Sequence, residues 1–173
     1  MEFFDVVESR HSVRRFKEKK VEEEKLKKIL NAARRAPSAG NLQAYEIVVV
    51  RDYKTKAALA EAAYGQKVIA NAPVVLVFFA NQKRSSSKYG EKGKEFYSVQ
   101  DATIAAAHAQ LAATAVGLAC VWVGGFDEDE VRNLLKAEKE MKPVAIIPIG
   151  YADEKPYIRE RRELNEFVHE EHL

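Results

Sequence analysis

The stretch from Ser98 to Gly125 places the tightest limit on how this chain can fold. Eight of the seventeen residues between Asp101 and Gly117 are alanine, the strongest helix former. Ser98 and Asp101 fit a capping box at the start of a helix, and Gly117 is suited to end it. The stretch therefore predicts one long helix.

The predicted helix is apolar on more than one side. Ile104, Ala107, Leu111 and Ala115 share one face, and the other faces carry almost no charge. We expect a sheet to cover one side and a second copy of the chain to cover the opposite side. The apolar run 118–123 then predicts an interior strand, and the glycines at 124–125 leave bare backbone where a flat ligand could approach.

The rest of the chain alternates between helical and strand patterns. Helices are expected at 2–9, 22–35, 53–64 and 128–136, and strands at 45–51, 74–80 and 144–151. In the first helix, Phe3, Phe4, Val6 and Val7 are available to dock on the core. A single domain over 1–173 is expected, with a flexible polar lid at 81–97 and a C-terminal extension at 153–173.

Composition restricts the class of protein. The net charge is only +2, and the longest apolar run, 72–80, is too short to span a membrane. The N-terminus is acidic rather than a basic leader, so a cytoplasmic location is the expectation. Cys120 is the only cysteine and falls in a predicted buried strand, where it is expected to be an inert packing residue. No metal site is predicted, because the histidines at 169 and 172 lie in a terminal tail.

A basic segment follows the first helix. Six Lys or Arg residues against one Glu occupy positions 10–20, and Arg10, Ser12 and Arg14 alternate, so they would point the same way on extended chain. Arginine forks bind two phosphate oxygens at once, which favours a phosphate clamp. In the C-terminal extension, Arg159 and Arg161 are also two residues apart. A solvated basic loop is the alternative interpretation.

The loop Pro37 to Gln43 precedes the first predicted strand and consists mostly of small and polar residues. Loops of this kind often carry function, although the same residues are also good turn formers.

Three other kinds of binding site are excluded because their motifs are absent from the sequence. Residues 90–95 lack the spacing of a phosphate-binding P-loop, no Rossmann glycine fingerprint follows a strand, and the basic residues lack the interleaved aromatics of a nucleic-acid platform.

Five landmarks in order resemble the nitroreductase family of flavoproteins, from residue 3 to about residue 168. They are Arg10-x-Ser12-x-Arg14-x-Phe16, Pro37-Ser38-x-x-Asn41-x-Gln43, Gln100-Asp101, Gly117-Leu118-x-x-x-Trp122-x-Gly124-Gly125-Phe126, and Pro148-x-Gly150-Tyr151 followed by Arg159-x-Arg161. One departure is Gln43-Ala44-Tyr45, where the family commonly has Gln-Pro-Trp, and it concerns the loop that faces the substrate.

The resemblance implies a three-layer α+β fold with a mixed central sheet flanked by helices, and a homodimer with the long central helix at its interface. It also implies one FMN in each of two sites shared between the chains. The residues that would hold FMN are Arg10, His11, Ser12, Arg14, Gln66, Gly124, Gly125, Arg159 and Arg161, with Pro37, Ser38, Ala39 and Asn41 from the partner chain. Tyr89, Phe96 and Tyr97 of the lid would shape the substrate face.

The function implied is electron transfer from NAD(P)H through FMN to nitroaromatic, quinone or related electrophilic acceptors, by a ping-pong mechanism. No catalytic side chain is expected, because hydride transfer needs only a nicotinamide placed against the flavin. The resemblance leaves open a reductive dehalogenase or a flavin-modifying enzyme. A flavin carrier or regulator without turnover is the alternative from another class. A nucleic-acid or membrane partner is not expected.

Overall fold

The computed structural model describes residues 2–155 and 157–173. Its helices are α1 (Phe3–Ser9), α2 (Glu23–Arg34), α3 (Tyr53–Ala62), α4 (Lys67–Asn71), α5 (Gln82–Lys92), α6 (Ser98–Ala115) and α7 (Glu128–Leu134), with a π-helix at Gly93–Tyr97 and 3-10 turns at Ala39–Asn41 and Leu164–Glu166. Its strands are β1 (Tyr45–Val50), β2 (Val74–Asn81), β3 (Ala119–Cys120) and β4 (Met141–Gly150). The expected helices and strands are therefore present, with ends shifted by a few residues.

The four strands form one sheet in the order β1-β2-β4-β3. All three strand pairs are antiparallel, and β2 is paired along its length with both neighbours. An additional parallel bridge joins Ser12 to Cys120, which gives the sheet its mixed character at the β3 edge. That bridge fixes the basic segment after α1 beside the sheet.

Both faces of the sheet are covered, as the continuous apolar strands predict. Leu76 and Phe78 of β2 point to the side packed by α2 and α6, while Val75 and Val77 point to the side that holds residues of α3, α4 and α7. These four β2 side chains have no exposed surface. The three-layer α+β fold that the family resemblance implies is confirmed.

Helix α6 has one covered and one uncovered side. Its alanines at 102, 105, 106, 109 and 113 are fully buried, and α6 contacts α2 and all four strands. On the other side, Ala107 and Ala115 are exposed, and Ile104 and Leu111 are only partly buried. The apolar face predicted from the sequence is therefore left without a cover within a single chain.

Helix α6 begins at Ser98 as predicted, but the capping box predicted there is wrong. Ser98 and Asp101 do not form a capping box, because α6 continues directly from the π-helix and Tyr97 already has helical dihedral angles. Ser98 Oγ instead donates to the Lys94 carbonyl at 2.7 Å. Two other predicted caps are confirmed: Asp52 accepts from the Thr55 amide, and Asp127 accepts from the Glu130 amide, both at 2.8 Å.

The flexible conformation predicted for the lid at 81–97 is also wrong. The segment is helical almost throughout, as α5 and the π-helix, with a kink at Gly90 where φ is +57°. Asn81 Oδ1 caps α5 by accepting from the Arg84 amide at 2.9 Å. A polar helix that packs on one side looks like a loop in sequence, because its few buried positions are serine and glycine rather than large apolar residues.

Two further expectations need correction. The strand predicted at 118–123 is ladder-paired only at Ala119–Cys120, with a single bridge from Val123 to Ile146. In α1 only Val6 is buried, whereas Phe3 and Phe4 are 63% and 76% exposed. The apolar surface of α1 therefore remains uncovered in the single chain. Among the described helices, none is both long and apolar enough to cross a membrane.

Candidate phosphate and flat-ligand site

The basic segment after α1 lies in an extended conformation against the β3 edge. The Val13 amide donates to the Cys120 carbonyl at 3.1 Å, and the Val13 side chain is buried. The alternation around Val13 then places Arg10, Ser12 and Arg14 on the opposite side, where all three line one cavity of about 210 Å³. His11 lines it as well. We call this space the arginine cavity.

The C-terminal segment completes the arginine cavity. After β4 the chain runs back along the basic segment: the Asp153 amide donates to the Arg15 carbonyl at 2.9 Å, and Glu154 Oε1 accepts from the Arg14 amide at 2.6 Å. This pairing brings Tyr157, Arg159 and Arg161 to the cavity wall. The two basic stretches, about 150 residues apart in sequence, thus meet in space as the shared spacing suggested.

The charge of the arginine cavity is strongly positive. Four arginines line it, and no aspartate or glutamate is among its lining residues. Within the described part of the chain, none of these four guanidinium groups forms an ion pair with a carboxylate. Unpaired guanidinium groups that converge with a hydroxyl form a strong site for a phosphate dianion. The residues present therefore fit the phosphate group of a nucleotide or flavin mononucleotide.

The loop from Pro37 to Gln43 is held in an unusual shape by its own hydrogen bonds. Ser38 Oγ accepts from the Gln43 amide at 2.9 Å, and Gln43 Nε2 donates to the Asn41 carbonyl at 2.6 Å. Gly40, Asn41 and Gln43 all have positive φ, at 55°, 57° and 48°. Such backbone is costly for non-glycine residues and is characteristic of functional loops.

Asp101 anchors this loop to the central helix. Its side chain, 2% exposed, accepts from the Ala39 amide at 2.9 Å and from the Ala44 amide at 3.3 Å. This role differs from the helix cap predicted for Asp101, because an aspartate near a helix start is usually a cap. The signal was present, since an acid within a run of buried alanines requires buried donors.

Within one chain, this loop and the arginine cavity are separate. Pro37, Asn41 and Gln43 line a different cavity of about 470 Å³, together with Arg34, Arg35 and Ala36. Ser38 and Ala39 are in the loop but line neither cavity. The structure of a single chain therefore does not bring the two predicted parts of the FMN site together.

Gly124 and Gly125 follow β3 and are exposed, so their backbone is open to a ligand. A Cβ atom on Gly124 would lie 3.2 Å from Trp122 Nε1, a tight contact, whereas one on Gly125 would meet only Gln66 Nε2 at 4.0 Å. Gln66 Nε2 donates to the Gly125 carbonyl at 3.0 Å. Gln66 thus lies beside the two glycines, where it holds the backbone in place.

The segment predicted to shape the substrate face packs on the loop that precedes β1. A Cβ atom on Gly40 would collide with the Tyr89 hydroxyl, and the Arg84 side chain donates to the Leu42 carbonyl. Tyr89 and Tyr97 meet edge to face with ring centroids 5.2 Å apart. Phe96 is 53% exposed and lines an apolar cavity of about 320 Å³ with residues of α6.

Cys120 lies behind the arginine cavity and is fully buried. Burial raises the pKa of its thiol to about 11, and the nearby Arg10 charge offsets this only in part. A thiol with such a pKa is protonated at neutral pH and is not a nucleophile. The prediction of an inert packing residue agrees with this environment. Among the described residues, no group of His, Cys, Asp and Glu side chains could hold a metal ion.

Comparisons with known proteins give a consistent result. The sequence model of the nitroreductase family matches residues 7–68 and 62–151. A protein named NADH dehydrogenase from Thermus thermophilus is 34% identical over 186 residues, which cover 92% of this chain and 91% of the relative. An oxygen-insensitive NADPH nitroreductase from Salmonella typhimurium is 28% identical, over 92% of this chain and 69% of its own.

The fold comparison extends over nearly the whole chain. The solved structure of an FMN-dependent nitroreductase from Clostridium difficile R20291 has a TM-score of 0.84 against this chain at 29% identity. The match covers 98% of this chain and 99% of that one.

Proposed function

Because the chain belongs to the nitroreductase family, we propose that it is an FMN-dependent oxidoreductase that uses NAD(P)H to reduce electrophilic acceptors such as nitroaromatics and quinones. The observation that carries the proposal is the arginine cavity. It joins four unpaired arginines and a serine hydroxyl from the two ends of the chain. A flavin mononucleotide has the matching chemistry, with a dianionic phosphate and a flat ring.

The roles of the residues follow from their chemistry. Arg10, Arg161 and Ser12 would bind the phosphate through charge-assisted and neutral hydrogen bonds. Arg14 would stabilise negative charge on the pyrimidine side of the ring, and the backbone of Gly124 and Gly125 would contact the ring edge. Held by these residues, FMN would supply the two-electron redox chemistry that links NAD(P)H to the acceptor, in ping-pong order.

We further propose that the functional unit is a homodimer with sites shared between chains. Two observations support it: the uncovered apolar face of α6, and the separation of the arginine cavity from the Pro37–Gln43 loop within one chain. In a two-fold dimer, each chain can supply its loop to the arginine cavity of its partner. Tyr89, Phe96 and Tyr97 would then border the acceptor.

The test of the activity is the visible spectrum of the purified protein, followed by anaerobic addition of NADH and of NADPH. The proposal predicts a flavin spectrum that bleaches with at least one of the two and returns when a quinone is added. A flavin spectrum that neither nucleotide bleaches would indicate a carrier without turnover. A protein that is colourless and cannot be reconstituted with FMN would contradict the proposal.

The shared site is tested by mixing two variants that are each defective in FMN binding, Arg10→Ala and Asn41→Ala. If the chains exchange, a mixed dimer holds one doubly altered site and one intact site, so about a quarter of all sites regain FMN at equal amounts. A site built within one chain predicts no recovery. Wild-type protein carried through the same exchange procedure is the control.

A further inference from the structure

A second basic cavity lies next to the arginine cavity and shares Arg14 with it. Its volume is about 690 Å³, within the range of nucleotide and cofactor sites. One wall is the basic segment from Arg14 to Lys20, and the other is formed by Tyr53 and Lys56 of α3 with residues 70–73. Arg14 lines both this space, which we call the lysine cavity, and the arginine cavity.

The lysine cavity carries more positive charge than its own carboxylates can balance. Six cationic side chains line it, against the two carboxylates of Glu18 and Asp153. Arg15 is neutralised by Glu154 at 3.6 Å, and Lys19 approaches Glu22 at 4.0 Å. Lys17 and Lys20, in contrast, form no ion pair with any described residue. The balance favours an anionic ligand.

Lys56 distinguishes this cavity from an ordinary basic surface. It is only 7% exposed, and its ammonium group donates to the Ala72 carbonyl at 2.6 Å. Burial lowers the pKa of Lys56, and the attraction of Asp52 offsets this in part. The Asp52 carboxylate itself caps α3 through Thr55. A buried ammonium is normally paired with a carboxylate. An ammonium has three donors, and the bond to Ala72 uses one of them, so Lys56 has donors left for an anion in the cavity.

An aromatic ring completes the cavity. Tyr53, the first residue of α3, lines the cavity and is 68% exposed. An exposed ring beside unpaired lysines can stack on a nucleobase whose phosphate the lysines bind. The combination of a ring, two free lysines and a buried lysine is therefore suited to a nucleoside phosphate rather than to a bare anion.

We propose that the lysine cavity binds the adenosine 2′-phosphate end of NADPH and makes NADPH the preferred reductant. This inference rests on the proposed function, since it concerns the reductant of the same site. The two cavities share Arg14, so a nucleotide held in the lysine cavity lies beside the proposed flavin site. The 2′-phosphate of NADPH adds about −1.5 to −2 of charge that NADH lacks, and unpaired lysines would stabilise that charge.

The kinetic test is the double charge reversal Lys17→Glu/Lys20→Glu. We expect the ratio of kcat/KM for NADPH to that for NADH to fall by about tenfold or more, because two attractive charges become repulsive. The matched control is Lys28→Glu/Lys139→Glu, which makes the same change of charge at exposed positions outside both cavities and should leave the ratio unchanged. An equal ratio in the wild type and the cavity variant would overturn the proposal.

A binding measurement separates this proposal from the proposed function. Calorimetry with adenosine 2′,5′-bisphosphate and with 5′-AMP should show tighter binding of the bisphosphate to the wild type, and a loss of that preference in the cavity variant. If the two nucleotides bind equally, or inorganic phosphate competes as well as the bisphosphate, the assignment to NADPH is wrong. If the wild type prefers the bisphosphate but its flavin is reduced by neither NADH nor NADPH, the result would support the site and overturn the proposed function.

Discussion

The Asp101 side chain accepts a hydrogen bond from the backbone amide of Ala39, 2.9 Å away and 62 residues earlier in the chain. This contact joins the central helix to the loop proposed to reach the flavin. A second amide, that of Ala44, donates to the other carboxylate oxygen. One buried carboxylate thereby holds both ends of the loop.

Asp101→Asn is expected to lower the free energy of unfolding by about 1 to 3 kcal/mol. An amide has one acceptor oxygen, so its NH₂ group would face a backbone N–H in a buried position. FMN affinity should fall as well, because the loop loses an anchor. Chemical denaturation and flavin release by ultrafiltration measure the two effects. Asp129→Asn, at an exposed surface pair with Arg132, is the control. Wild-type stability in Asp101→Asn would contradict the role of the anchor.

Arg10→Ala and Arg161→Ala should each weaken FMN binding by about 1.5 to 3 kcal/mol, or roughly tenfold or more in Kd. Each removes one charge-assisted bond to phosphate. Arg162→Ala is the matched control, because Arg162 pairs with Glu166 and does not line the arginine cavity. Titration of the FMN-free protein followed by flavin fluorescence gives the affinities. Unchanged Kd values in both cavity variants would exclude the phosphate clamp.

Gly40→Ala should be more destabilising than Gly65→Ala. Both glycines have positive φ, at 55° and 77°, so an alanine at either position costs about 1 kcal/mol or more in backbone strain. Only at Gly40 would the new Cβ also collide with Tyr89, because nothing lies within 4 Å of that position at Gly65. Thermal unfolding of the two variants therefore isolates the contact between the loop and α5. Equal losses of thermal stability in the two variants would show that Tyr89 of α5 moves aside without a cost in free energy.

Cys120 should make stability fall at high pH. Its pKa is raised by burial from 9.0 to about 11, so the unfolded chain loses the thiol proton first as the pH rises. Above pH 9 the free energy of unfolding therefore falls, and it continues to fall until the folded thiol also ionises near pH 11. Cys120→Ala should show a smaller decline over this range in urea unfolding. A thiol reagent at pH 8 should react only with the unfolded wild type. Rapid reaction of the folded protein would contradict this burial.

Features that depend on neighbours a few positions away follow from the amino-acid sequence alone. The caps at Asp52 and Asp127, the apolar runs of β2 and β4, and the spacing of Arg10, Ser12 and Arg14 all follow from local hydrogen bonding or from the period of a helix or strand. Each is present in the structure. The family resemblance came from such local landmarks, read in order along the chain.

The contacts between groups that are distant in sequence depend on how the whole chain packs. Asp101 looked like a helix cap and instead binds a loop, while residues 81–97 looked like a flexible lid and instead form helices packed on that loop. The lysine cavity requires α3 to lie against the basic segment. Partners 40 to 140 residues apart are selected by burial and packing across the whole chain, and no pattern within a short window contains that information.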